Sequence, residues 1–170
     1  MDTAKHLGHL NVLVMGVGNS LLTDEAVGPQ AIKRFQEAYG ELLGVSLLDA
    51  GTLSFTLADE IGAADALIVF DAARLNATVG SVRVLEGKEM DDFVRSGKLT
   101  VHEVGLTDLL DMARMTGDLP ARRALVAIEP AHVGWGLELS PAVEAAMPTA
   151  IQMAHDVLSR WNAECVEAAQ

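Results

Sequence analysis

The sequence predicts an α/β fold in which a largely parallel sheet is covered by helices on both faces, and three observations carry that expectation. Apolar runs of strand length alternate with segments whose apolar residues recur at helical spacing, the pattern of a buried parallel sheet. The first run starts at Val12, passes through Gly16 and Gly18, where the backbone can turn sharply, and releases into an amphipathic segment near Glu25. Three of the strands are followed by a carboxylate, Glu25, Asp49 and Asp71 in turn.

The chain has 170 residues, half of them hydrophobic, enough for one domain with a sizeable core. Its formal charge of -12 leaves no basic patch to neutralise phosphates, which argues against a nucleic-acid binder. The lone Cys165 has no partner for a disulfide, so a reducing cytoplasm is the expected home. Neither a secretory leader nor a run of membrane-spanning length is visible. Residues 1–10 and 163–170 are expected to be flexible tails.

Each element follows from its local pattern. After the first strand, Val27, Ala31, Phe35 and Ala38 mark a helix that Gly40 can terminate. Val45 to Thr52 is a second short strand stopping at Asp49, and Ser54 or Thr56 can cap a helix reaching Gly62. Ala66 to Phe70 is a third strand ending on Asp71. Ser81 to Glu86 alternates polar with apolar residues and follows too closely for a helical crossover, so it is expected as an antiparallel edge strand. Gly87 to Lys98 is polar and is expected as a variable loop with at most one helical turn. Leu106, Leu109, Leu110 and Ala113 form a helix face ending near Thr116-Gly117, which puts His102 just before a helix. Ala124 to Pro130 is the last strand. Ser140-Pro141 then opens a final helix with buried face Val143, Met147, Ala150, Ala154, Leu158 and Trp161, and Pro148 predicts a kink.

The glycines of the first loop suggest a dinucleotide fingerprint, but Leu21 stands where the third glycine belongs, and Asp24 and Glu25 would repel a pyrophosphate. Carboxylates at a sheet edge suit a cation better. Glu25, Asp49 and Asp71 fall where ligands collect in open α/β sheets, and His102 precedes a helix that can return there. A Glu, Asp and His set offers oxygen and imidazole ligands for zinc, nickel or a similar ion. Each residue taken alone also has an ordinary explanation: Asp49 and Asp71 as acids capping loop N–H groups, Glu25 complementing a helix dipole, His102 bonded to a backbone carbonyl, His132 and Trp135 packed under a loop. No side-chain nucleophile with a base, G-x-S-x-G, P-loop or H-x-x-x-H motif is visible, which disfavours acyl chemistry through a Ser or Cys.

Gly16-Val-Gly-Asn-Ser-Leu-Leu-Thr-Asp-Glu-Ala-Val-Gly28, with Leu48-Asp-Ala-Gly-Thr52, Ile68-Val-Phe-Asp-Ala72, Val101-His-Glu-Val-Gly-Leu106 and Ile128-Glu-Pro130, resembles the nickel-iron hydrogenase maturation endopeptidases. The likeness runs in order from Val12 to Trp161. It implies a three-layer α/β/α sandwich with a mostly parallel, mixed five-stranded sheet, and an endopeptidase that removes a C-terminal extension from a hydrogenase large-subunit precursor after nickel insertion. It also implies a metal-contacting set of Glu25, Asp71 and His102, with Asp49 in a supporting role. From those ligands and the missing nucleophile, water is expected to be activated either by the nickel or by a carboxylate, Asp49 or Asp71. The nickel is then the substrate's own, with no resident organic cofactor. The expected partner is the precursor, approached by a cytoplasmic monomer without nucleic acid or membrane. Many family members carry Gln where Glu129 stands, which leaves any role of an amide there in doubt. A nickel-docking module that does not cleave, a general metallopeptidase and a nucleotide-binding oxidoreductase are the competing readings.

Overall fold

The computed structural model describes residues 9–99 and 105–168. Strands β1 (Val12–Val17) and β3 (Ala66–Ala72) are buried along their whole length, as strands covered on both faces must be. With β2 (Val45–Gly51), β4 (Val82–Glu86) and β5 (Arg122–Ile128) they form one five-stranded sheet in the order β2-β1-β3-β5-β4. Strand β1 runs parallel to β2 and β3, and β3 parallel to β5. The alternating strand β4 pairs antiparallel with β5 at the edge, so the expected mixed, mostly parallel sheet is observed.

Helices α1 (Val27–Tyr39) and α5 (Pro141–Ala168) cover one face, where Phe35, Phe70, Val126, Met147 and Trp161 pack together. Helices α2 (Leu57–Ala63), α3 (Gly87–Arg95) and α4 (Leu106–Thr116) cover the other, over Met15, Leu67, Met90, Leu109 and Leu125. Burying a side chain of this size contributes roughly 1.5–3 kcal/mol, and two such layers on a strand leave it no polar face. From β1 the chain moves to β2 on one side, then crosses back so that β3 pairs with β1 on the other. The carboxyl ends of β1 and β3 therefore flank a topological switch point, the place where α/β sheets leave a crevice.

Four expectations are corrected. The polar stretch Gly87 to Lys98 contains the nine-residue helix α3 rather than a loop. Its Met90 and Val94 are buried on one face, and the buried Asp91 accepts hydrogen bonds from Arg123 at 2.7 and 2.8 Å and from Arg114 at 3.2 Å, so a residue that looked like a loop acid belongs to the interface. Strand β3 runs to Ala72, one residue beyond its expected end at Asp71. The supposed tail from residue 163 is helical to Ala168, with Glu164 pairing Arg122 at 3.2 Å and Arg160 at 3.6 Å. Helix α5 also continues through Pro148, whose missing N–H leaves the Glu144 carbonyl without its usual helical donor. Thr56 precedes α2 as expected, but no side-chain hydrogen bond caps the helix there; its hydroxyl lies 3.1 Å from that of Ser54.

Candidate active site at the switch point

The site starts with three glycines. A Cβ on Gly16 would run into the carbonyl of Gly28, and a Cβ on Gly18, at φ +144°, into the carbonyl of Glu25. Glycine here lets the start of α1 lie directly on β1 and brings the intervening turn back over the strand end. The pattern that mimics a dinucleotide fingerprint thus serves close backbone packing. A single 3-10 turn, Thr23–Ala26, presents Glu25 at the end of β1.

That turn is held from across the chain. Thr23 has φ +34°, an uncommon conformation for a β-branched residue. Its N–H donates to the Gly136 carbonyl at 2.8 Å, and its hydroxyl donates to the His132 carbonyl at 2.8 Å and accepts the Gly134 N–H at 3.1 Å. Asp24 is wholly buried, and its carboxylate accepts the N–H groups of Ala131 at 2.8 Å, His132 at 3.0 Å and Ser140 at 2.7 Å, as well as the Ser140 hydroxyl at 2.7 Å. Burial alone would raise the pKa of Asp24, but the hydrogen bonds from Ser140, His132 and Ala131 outweigh it and hold the group below the ordinary carboxylate range. Asp24 is therefore the tie between the first loop and the loop 131–140, with its lone pairs committed to the protein.

Glu25, its neighbour, has only 6% of its surface exposed, and burial raises its pKa. It lines a cleft of about 700 Å³ together with Ala72 and Ala73 at the end of β3, Arg74, Lys98, Glu129 and His132. Asp71, fully buried, is the residue of β3 immediately before that lining. Strand alternation puts Asp71 on the same face of the sheet as Val69 and Ala73, the face covered by α2, α3 and α4. The structure thus brings Glu25 and the Asp71 end of β3 to one crevice.

The other expected residues fall differently. Asp49 is exposed on β2, opposite Gly16, and its Oδ1 accepts the Gly51 N–H at 3.0 Å, the ordinary turn-capping use of a strand-end aspartate. It is not part of the cleft lining. His102 lies outside the described residues. Among the described residues no group of three or more His, Cys, Asp or Glu side chains gathers to hold a metal ion. Chemically, the cleft offers a buried carboxylate that gains from a cation beside it and can also take up a proton at higher pH than an exposed one.

Two structural roles, those of Asp24 and Glu129, have no signal in the local sequence, whereas the loop Ala131 to Leu139 is already a candidate precursor contact from the sequence. The sequence offers Asp24 beside Glu25 as a second carboxylate suited to a cation, whereas its oxygens accept the N–H groups of Ala131, His132 and Ser140 and the Ser140 hydroxyl. Glu129 accepts the N–H of Leu75 at 2.5 Å and of Ala77 at 3.4 Å, which shapes the loop after β3. Finally, Trp135 and Leu137 are 85% and 68% exposed on the loop that Asp24 anchors, with Val133 and Leu21 also exposed, so the Trp does not pack beneath that loop. The Gly136 N–H donates to the Leu21 carbonyl at 3.0 Å, so the two loops that carry this rim of exposed apolar side chains are tied through their backbones.

Residues 29–157 match the family model described as hydrogenase maturation protease. The chain belongs to the hydrogenase maturation protease family. It is 34% identical over 152 residues to the hydrogenase expression/formation protein HupD of Rhizobium leguminosarum bv. viciae, covering 89% of this chain and 75% of that one. The hydrogenase 2 maturation protease of Escherichia coli K12 is 32% identical over 159 residues, covering 92% and 96%. Among solved structures, the hydrogenase maturating endopeptidase HybD from Escherichia coli superposes with a TM-score of 0.83 at 32% identity over 89% of this chain and 93% of its own. The expectation of an enzyme, a peptide hydrolase of the hydrogenase maturation proteases, holds, and so does the α/β/α architecture. Glu25 lies just outside the span matched by the family model, which begins in α1.

Proposed function

We propose that this maturation protease is a cytoplasmic endopeptidase that removes the C-terminal extension of a nickel-iron hydrogenase large-subunit precursor once nickel has been inserted. Glu25, Asp71 and His102 are the residues that contact the precursor's nickel. The observation that carries this reading is the burial of Glu25 on the wall of an open cleft beside the Asp71 end of β3. A carboxylate in a desolvated setting is stabilised when a cation arrives beside it, so the site suits a metal delivered from outside.

Docking of the nickel holds the scissile peptide at the switch point, which converts cleavage into an intramolecular event. A water attacks the carbonyl carbon; a carboxylate, Asp71 in this reading, accepts its proton and returns it to the departing amine. The substrate's nickel polarises the reacting groups, and a precursor without nickel offers nothing for the site to hold. Asp49, bound to the Gly51 N–H, is left a supporting part at β2. The exposed apolar rim of Leu21, Val133, Trp135 and Leu137 beside the cleft suits contact with the folded body of the precursor. Among the described residues no helix is long and apolar enough to cross a membrane.

The test is the intact mass of a large-subunit precursor after incubation with the protein. Loss of the extension from nickel-loaded but not nickel-free precursor is the expected result. Equal cleavage of both would overturn nickel recognition, and cleavage of neither would favour a docking module that does not cut.

A further inference from the structure

The cleft carries a pair of positive charges that the reaction described above does not use. Beyond the end of β3, Ala73 bridges to Leu99 in antiparallel fashion, and the Arg74 N–H donates to the Lys98 carbonyl at 2.9 Å. That register sets Arg74 opposite Lys98, and both side chains line the cleft that Glu25 enters. Like charges directly opposite on a ladder repel each other, an arrangement that costs stability unless an anion sits between them. In a chain of net charge -12 such a pair is out of keeping with its surroundings. Among the described residues neither side chain makes an ion pair; the Lys98 ammonium rests 5.6 Å from the centre of the Phe93 ring. Another lining carboxylate, Glu129, accepts the N–H groups of Leu75 and Ala77 through its Oε2.

We propose that Arg74 and Lys98 form a carboxylate-binding subsite for the C-terminal extension of the precursor, on the side of the scissile bond that is released. This rests on the endopeptidase reading above. Glu25 and Asp71 engage the metal-bearing side of the substrate at the strand ends, and the basic pair engages the segment that leaves. The carboxylate is either the terminal α-carboxylate or an acidic side chain of the extension. In both cases the pair gives the extension a fixed point in the cleft, at the wall formed by Arg74 and Lys98. Release after cleavage is easy, since exposed charge pairs are individually weak.

The experiment measures processing of nickel-loaded precursor by the wild-type protein and by the double variant Arg74→Glu/Lys98→Glu, with thermal melts of both. The expected result is a KM raised about tenfold, as two reversed ion pairs at a rim imply, with kcat and melting temperature little changed. A second precursor, with lysines replacing neutral residues in its extension, is processed better by the double variant than by the wild type. The two sources separate in a precursor whose extension has every Asp and Glu changed to Asn and Gln: a surviving KM effect assigns the α-carboxylate, a vanished one the side chains. Equal KM for wild type and double variant overturns the subsite while leaving the endopeptidase reading intact. Failure of the wild-type protein to process the loaded precursor overturns that reading, and the subsite with it.

Discussion

Asp24 grips Ser140 with both carboxylate oxygens, one accepting the backbone N–H and the other the hydroxyl, each at 2.7 Å and across 116 residues of chain. The same carboxylate takes the N–H groups of Ala131 and His132, so the residue that precedes Glu25 fixes both the cleft wall and the start of α5. Asp24→Ala should therefore leave buried donors unpaired and lower stability by about 3 kcal/mol. Urea unfolding at neutral pH measures the loss.

Asp24 also sets a pH dependence. Its pKa is lowered in the fold, so its contribution is present above the ordinary aspartate pKa and disappears as pH falls through the folded value. Unfolding midpoints taken from neutral pH downward should fall steeply for the wild-type protein and less steeply for Asp24→Asn.

Glu25 has the opposite sign. Burial raises its pKa, so the native protein holds a proton that the unfolded chain gives up. Its contribution is full below the ordinary glutamate pKa, about 4.3, and is lost as pH rises from there through the folded value. Glu25→Gln should flatten that limb of a pH–stability curve and leave the protein at least as stable at neutral pH. A lower melting temperature at neutral pH would show that Glu25 stabilises the fold rather than straining it.

Asp91 tests the structural side of the account. It bridges α3 to Arg123 on β5 and Arg114 on α4, and the Arg123 hydrogen bond first, then the guanidinium charges of Arg123, Arg114 and Arg95, hold its pKa below the usual range. Asp91→Asn should cost about 2–3 kcal/mol and leave kcat unchanged in the surviving folded protein, since Asp91 does not line the cleft. Denaturant melts paired with a processing assay separate the two effects.

Trp135 tests the rim. At 85% exposure it contributes little to the fold, so Trp135→Ala should shift stability by less than about 0.5 kcal/mol. If the precursor docks there, KM should rise by about tenfold, the effect of losing an aromatic anchor of about 1.4 kcal/mol. Steady-state kinetics on the loaded precursor, with a melt as control, decides it.

Much of this architecture was legible in the sequence because periodicity reports burial. The apolar runs of β1 and β3 could only be strands covered twice, and the alternation of β4 marked the edge it occupies. The sheet edge that gathers Glu25 and the end of β3 followed from parallel order. What escaped were long-range polar pairings. Helix α3 looked like a loop because Asp91 is made tolerable by Arg114 and Arg123, which come much later in the chain. Asp24 looked like a second cation-facing acid beside Glu25 because its donors lie more than 100 residues away. Neither has a local signature, since a carboxylate's partners are fixed only once the chain has folded. Asp49 went the other way: the strand-then-acid pattern that it shares with Asp71 ends in a turn contact with Gly51.

The measurement that bears most directly on the central claim is the rate of processing of a nickel-loaded precursor by Glu25→Gln and Asp71→Asn, each checked for folding by its melt. If these carboxylates hold the substrate's nickel and serve the attacking water, each variant should be folded and at least about 100-fold slower than the wild-type protein. Rates within about twofold of wild type for both would contradict the assignment of this cleft as the site of reaction.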